Sequence, residues 1–302
     1  MLPFYLSSAT RPSPTLSRDS PSVIRARIRA ITFSCIASSL ITIYILAQLD
    51  HDGPADILRQ LGWWPLHLIS LAKTLLLCSI LFAGPLFEAA IIKGRLTHWI
   101  RGTYFRETFA SWTGWRNYVA GPVSEELVFR SLVIPLHILA HISPSRMVFV
   151  TPLYFGIAHI HHFYEFVLTH PELPLLPAVI RTIVQFSYTS VFGFLAAFIF
   201  LRTGSLYAVI AAHVFCNWMG LPRFWGRVRV EAGEPIGPPR TKKEDEEPPR
   251  NAEPSKTQKK ADSSTLWTAS YYILLVAGAY GFWKCLWPLT ESGEEALAYF
   301  NA

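Results

Sequence analysis

Three short patterns place ionisable or amide side chains inside apolar sequence: Glu125-Glu126-Leu-Val-Phe-Arg130, Phe155-Gly-Ile-Ala-His159 and His213-Val-Phe-Cys-Asn217. Two carboxylates, an arginine, two histidines and an amide are the materials of hydrolysis. A glutamate beside histidines can act as a general base toward water, and His and Asn donors can stabilise an oxyanion. In the first pattern, Pro122 can start a helix and Ser124 can cap it. Glu125 and Glu126 then stand in the first turn, where the helix dipole favours negative charge. Glu126 and Arg130, four apart, share a face and can pair. Glu125 is turned about 100° away and is left to act elsewhere.

Each pattern also has a plainer reading. Glu126–Arg130 alone can be an ion pair that tethers a helix start. Phe155 shares a face with His159 and can wall the pocket that the histidine enters. His161 and His162, which follow, read better as interfacial or locally hydrogen-bonded groups. His213 and Asn217 lie on one helical face, where they can simply bind two helices together. Taken jointly, the groups satisfy one another best by converging, because an unpaired polar group in lipid costs several kcal/mol. Ionisable residues inside spans are functional candidates by default. No HExxH helix and no GxSxG elbow occurs, so a water-activating glutamate is what remains.

The elements that must carry these groups are apolar helices. Apolar residues make up 51% of the 302-residue chain and charged residues 16%, against about 25% charged in soluble domains. The apolar residues fall in blocks: Ile28–Leu49, Trp63–Ile92, Val119–His141, Met147–Val167, Leu173–Leu201, Leu206–Leu221 and Leu266–Leu289. A membrane helix takes about 20 such residues. The reading is an all-α, polytopic transmembrane helix bundle of about seven spans, six to eight being acceptable. The first block is too long for a signal-peptide core and reads as a retained anchor.

The net charge of +6 is distributed as a topology signal, not as a nucleic-acid patch. Arg18, Arg25, Arg27 and Arg29 open the first block, Lys93 to Arg116 lie between the second and third, and Arg223, Arg227 and Arg229 follow the sixth. Basic residues mark the cytosolic side, so the N-terminus is expected there and the Glu291, Glu294 and Glu295 tail across the membrane. Residues 97–116 mix aromatic and basic side chains and suit a helix lying at the interface. The four cysteines show no metal or disulfide spacing. The domain reading is a disordered cytosolic tail (1–22), a transmembrane catalytic bundle (23–222), a flexible hydrophilic cytosolic linker (223–264), and a final span with an acidic tail (265–302).

The three patterns, in this order and each on its own apolar helix, resemble the EExxxR, FxxxH and HxxxN/D motifs of the type II CAAX prenyl endopeptidases, within the wider ABI membrane-protease superfamily. The resemblance covers roughly residues 60–222. It implies removal of the C-terminal tripeptide from prenylated CaaX proteins, in the endoplasmic reticulum membrane, without metal or cofactor. It implies Glu125 as the water-activating base assisted by His159, His213 and Asn217 as oxyanion donors, and Glu126, Arg130 and Phe155 in support. The implied partners are prenylated CaaX-protein substrates and membrane lipid. Two other readings stay open: a zinc-dependent hydrolase with Glu125, His159 and His213 as ligands, and a non-catalytic scaffold or transporter.

Overall fold

Long runs of Leu, Ile, Val, Phe and Ala fold into helices because lipid leaves backbone N–H and C=O groups no partner but each other. The computed structural model describes residues 7, 9–11, 17–49, 53–228, 265–293 and 296–297. These form α1 (Pro21–Leu49), α2 (Pro54–Gln60), α3 (Leu68–Leu81), α4 (Ala83–Phe87), α5 (Leu96–Ile100), α6 (Thr103–Phe109) and α7 (Trp112–Trp115). The chain continues through α8 (Gly121–Glu126), α9 (Val133–Leu139), α10 (Pro144–Ala158), α11 (His161–Thr169), α12 (Leu175–Thr203), α13 (Leu206–Met219) and α14 (Thr265–Thr290). No strand occurs among the described residues. The protein is an all-α membrane helix bundle.

The expected seven spans are not seven long helices. By length and composition, α1, α12 and α14 can each cross a membrane, and Leu68–Leu81 with Ala83–Ile92 forms a fourth candidate bent by 81°. The other apolar blocks are helical but interrupted. Val119–His141 is broken by π-helical turns at Arg116–Ala120 and Leu127–Leu132. Met147–Val167 breaks between α10 and α11 at His159 and Ile160. The helix α13 has 14 residues, about 21 Å at 1.5 Å per residue, short of the ≈ 30 Å hydrocarbon core. The interruptions fall where polar side chains gather. Irregular backbone at membrane depth is tolerated where it is buried in protein or lines a cavity.

The interfacial helix expected over 97–116 is three short helices, α5 to α7. Gly102, at φ 67°, turns the chain between the first two, a conformation that suits glycine. Ser111 caps α7 by accepting from the Gly114 N–H. Pro122 and Ser124 do not start a helix as expected. The helical run enters from α7 and passes through a π-turn into α8, so the N–H that proline lacks is accommodated where the register widens. The Ser124 hydroxyl donates back to the Ala120 and Gly121 carbonyls at 2.6 and 3.1 Å.

The helices α10 and α12 pack closely along their length, and glycine allows it. A Cβ on Gly156 would lie 2.6 Å from the Ser190 hydroxyl, and one on Gly193 would lie 2.7 Å from Pro152. On the other side α14 packs on α3 and α4, where a Cβ on Gly278 would lie 2.5 Å from the Ile80 carbonyl oxygen. Between these pairs Ala196, Ala197, Ala208 and Ala212 bring α12 and α13 together around Phe200 and Met147.

Part of the expected tail (1–6, 8 and 12–16), most of the expected linker (229–264), and Glu294 and Glu295 lie outside the described residues. The described ends of both segments are held to the bundle. Asp19 pairs with Arg116 at 2.6 Å. Val228 is buried and donates its N–H to the Thr268 hydroxyl.

Candidate active site

The functional candidates are carried by three neighbouring runs: α8 with the π-turn after it, the end of α10, and α13. Glu125 and Glu126 part company as their 100° offset requires. Glu126 is 0% exposed, while Glu125 has a quarter-exposed side chain and lines a cavity of about 1880 Å³. Arg130 pairs with Glu126 at 3.1 Å, as the spacing predicts. It also reaches the Gly193 carbonyl on α12 and lies under the Phe155 ring, 4.6 Å from its centroid. The buried charge is therefore matched by a carboxylate, a carbonyl and an aromatic face.

His213 joins the two glutamates. Its Nδ1 is 2.5 Å from Glu126 Oε1, and its Nε2 is 3.7 Å from Glu125 Oε2. An ionised Glu126 can only accept, so the proton of that short bond sits on Nδ1. His159 differs from expectation in its backbone: it is the C-cap residue of α10, not a residue within a continuing helix. Its Nδ1–H donates to the Phe155 carbonyl at 2.7 Å. A carbonyl cannot donate, which leaves Nε2 of the neutral ring as the acceptor. His159 thus offers a basic nitrogen in the wall of the cavity that Glu125 lines.

Phe155 is buried among the rings of Phe129, His159 and His213, at centroid distances of 5.2, 4.5 and 6.3 Å. It holds the two histidines and Arg130 apart at fixed spacing, which is more than the wall expected of it. Asn217 lines the cavity and donates through Nδ2 to the Asn117 carbonyl at 3.0 Å. An amide nitrogen carries two hydrogens, so one donor remains to Asn217.

His161 and His162 are locally bonded, to the Ala158 carbonyl and to Glu165 respectively. Glu165 was not singled out in the sequence. It is buried and also pairs with Arg27 at 2.7 Å. Its legible signal is the three-residue spacing from His162. For metal binding, Glu125, His159 and His213 do not draw together as the zinc reading requires. Among the described residues the ligand atoms that come within 4.8 Å of one another are those of His161, His162 and Glu165. Arg27 already holds that carboxylate.

The cavity is mostly apolar. Ile24, Ile28 and Ile31 of α1 and Ile183, Val184 and Val191 of α12 are among the side chains that line it. The last three are 60, 51 and 65% exposed. The cavity therefore opens to the surface of the bundle beside α12.

The family profile described as Type II CAAX prenyl endopeptidase Rce1-like matches residues 106–219, which contain every group just described from Glu125 to Asn217. The chain is 36% identical over 224 residues to the protein called Probable CAAX prenyl protease 2 of Schizosaccharomyces pombe, across 74% of this chain and 78% of that one. It is 34% identical over 216 residues to CAAX prenyl protease 2 of Homo sapiens, across 68% and 64%. A shorter stretch of 108 residues, 36% of this chain and 34% of the other, is 45% identical to CAAX prenyl protease 2 of Arabidopsis thaliana. No solved structure matches the chain at a significant level. With its motifs on interrupted membrane helices around one cavity, the chain is a multi-pass membrane protease and belongs to the type II CAAX prenyl endopeptidase family.

Proposed function

We propose that this enzyme removes the C-terminal tripeptide from prenylated CaaX proteins, using water activated by Glu125. One observation carries the reading: among the described residues lining the apolar cavity Glu125 is the sole carboxylate, and His159, His213 and Asn217 line the same cavity. Glu125 takes a proton from water as the water attacks the scissile carbonyl. His159 orients that water by accepting through Nε2, and Glu125 passes the proton it has taken to the leaving amine as the tetrahedral intermediate collapses. Asn217 and His213 donate to the developing oxyanion. For His213 to donate through Nε2 while Glu126 holds Nδ1, the ring carries both protons, and Glu126 offsets the charge. Glu126 and Arg130 are positioning residues. The prenyl chain occupies the opening beside α12, among the apolar side chains that α1 and α12 contribute to the cavity.

The names of the relatives support the substrate class. The basic residues support a cytosolic N-terminus with the final helix leading the C-terminus across the membrane, and family membership supports the endoplasmic reticulum as the compartment. The proposed organisation remains a cytosolic tail, a catalytic bundle, a hydrophilic linker and a last span.

The test is cleavage of a farnesylated CaaX peptide by membranes carrying wild type, Glu125→Gln or Glu125→Ala, with and without a strong chelator. Cleavage is expected from wild type in both conditions, and a fall of about 10²–10⁴ in both variants. Loss on chelation with rescue by zinc would instead assign a metal-dependent hydrolase. No cleavage of any prenylated peptide by correctly inserted wild type would favour a scaffold or transporter.

A further inference from the structure

The charged groups lining the cavity are unbalanced. Glu125 is accompanied by three guanidinium groups, those of Arg18, Arg27 and Arg116. Two carboxylates behind the rim answer two of these: Glu165 pairs with Arg27 at 2.7 Å and Asp19 with Arg116 at 2.6 Å. Among the described residues Arg18 has only distant ion-pair contacts, 3.8 Å to Asp19 and 4.0 Å to Glu165, and its side chain is 43% exposed. The rim so carries one cation more than the carboxylates paired with it. Arg116 also donates to the Arg18 carbonyl at 3.5 Å, so the two arginines are neighbours.

A peptide cut three residues before its end presents one fixed anion, its terminal carboxylate. An extended tripeptide spans about 10–11 Å at 3.3–3.6 Å per residue. Arg116 stands nine residues before Glu125 in one helical run, Trp112 to Glu126, at most about 13 Å along the axis at 1.5 Å per residue. The rise from Arg116 to Glu125 along this run is thus comparable to the length of the piece removed. A guanidinium and a carboxylate also match in shape, through paired N–H donors.

We propose that Arg18, with Arg116 beside it, binds the free terminal carboxylate of the substrate and so sets the cut at three residues from the end. This inference rests on the proteolytic reading above. Arg18 acts as a specificity residue: it measures the substrate from its C-terminus while the apolar opening holds the prenyl group.

The experiment compares a farnesylated CaaX peptide bearing a free carboxylate with the same peptide ending in a carboxamide, using the full chain in lipid vesicles. For wild type, kcat/KM is expected to favour the free acid by about ten- to a hundredfold, the range for a hydrogen bond to a charged group, mostly through KM. In Arg18→Gln the acid-to-amide ratio is expected to fall toward one, and Arg18→Lys to keep much of it. Arg116→Gln should lower the ratio as well, and decides the matter if Arg18→Gln does not insert. A wild type that cuts both peptides equally overturns the inference while leaving the protease intact. So does an unchanged ratio in Arg18→Gln. A wild type that cuts neither peptide, nor any other prenylated one, fails the proteolytic reading itself and takes this inference with it.

Discussion

Glu125 and Glu126 are neighbours in the chain with opposite surroundings, so their removal should have opposite consequences. Glu126 is fully buried between Arg130 and His213, and truncating one partner of a buried pair costs about 3–5 kcal/mol. Glu126→Ala is therefore expected to lower the melting temperature in detergent clearly, while Glu125→Ala lowers cleavage by about 10²–10⁴ and melts close to wild type. Equal melting temperatures would contradict the burial argument. Asn217→Ala removes one proposed oxyanion donor, and kcat should fall by about 10²–10³ with little change in KM, measured on a farnesylated peptide. The pairing of Glu126 with Arg130 was legible because it is a four-residue helical spacing. The bond from His213 to Glu126 was not, since 87 residues separate them and only the fold decides which glutamate the ring meets.

At the scale of elements, the site depends on how closely α10 lies on α12. Gly193 presents its carbonyl to Arg130 and its bare Cα to Pro152. A Cβ there would meet the proline at 2.7 Å and the Arg130 guanidinium at 3.3 Å. Gly193→Val should force the helices apart, at a cost of about 1–3 kcal/mol for overpacking. It should also reduce cleavage by displacing Arg130, as read by thermal unfolding and peptide assay together. A wild-type melt would mean that α12 yields without cost. Hydropathy located these helices but overstated their continuity. Apolar runs such as Val119–His141 read as single spans because residue type records burial, whereas π-turns and the break after α10 follow from partners distant in sequence. The Pro122–Ser124 start failed for the same reason: a capping sequence is also compatible with mid-helix back-bonding once a preceding turn supplies the helix.

Across the whole molecule, charged side chains are held in separate small groups. Arg116 is bound to Asp19, and Lys93 and Arg223 to Glu88. Arg202 donates to Thr290 and to the Trp287 carbonyl, and Lys73 reaches the Glu291 carbonyl. The expected orientation was read from composition alone, because the positive-inside bias is a count along the chain. The proposed topology predicts that a glycosylation acceptor appended at the C-terminus is modified in microsomes and one at the N-terminus is not. The reverse pattern would invert the orientation and put the arginine rim on the wrong side for a cytosolic substrate.

The cavity's opening beside α12 changes how substrate should be counted. A prenylated protein that enters sideways from the bilayer arrives by diffusion in a plane, so its surface density governs the encounter, not its bulk molarity. Adding inert lipid at fixed amounts of enzyme and substrate should therefore slow cleavage by dilution within the surface, although no concentration in the tube has changed.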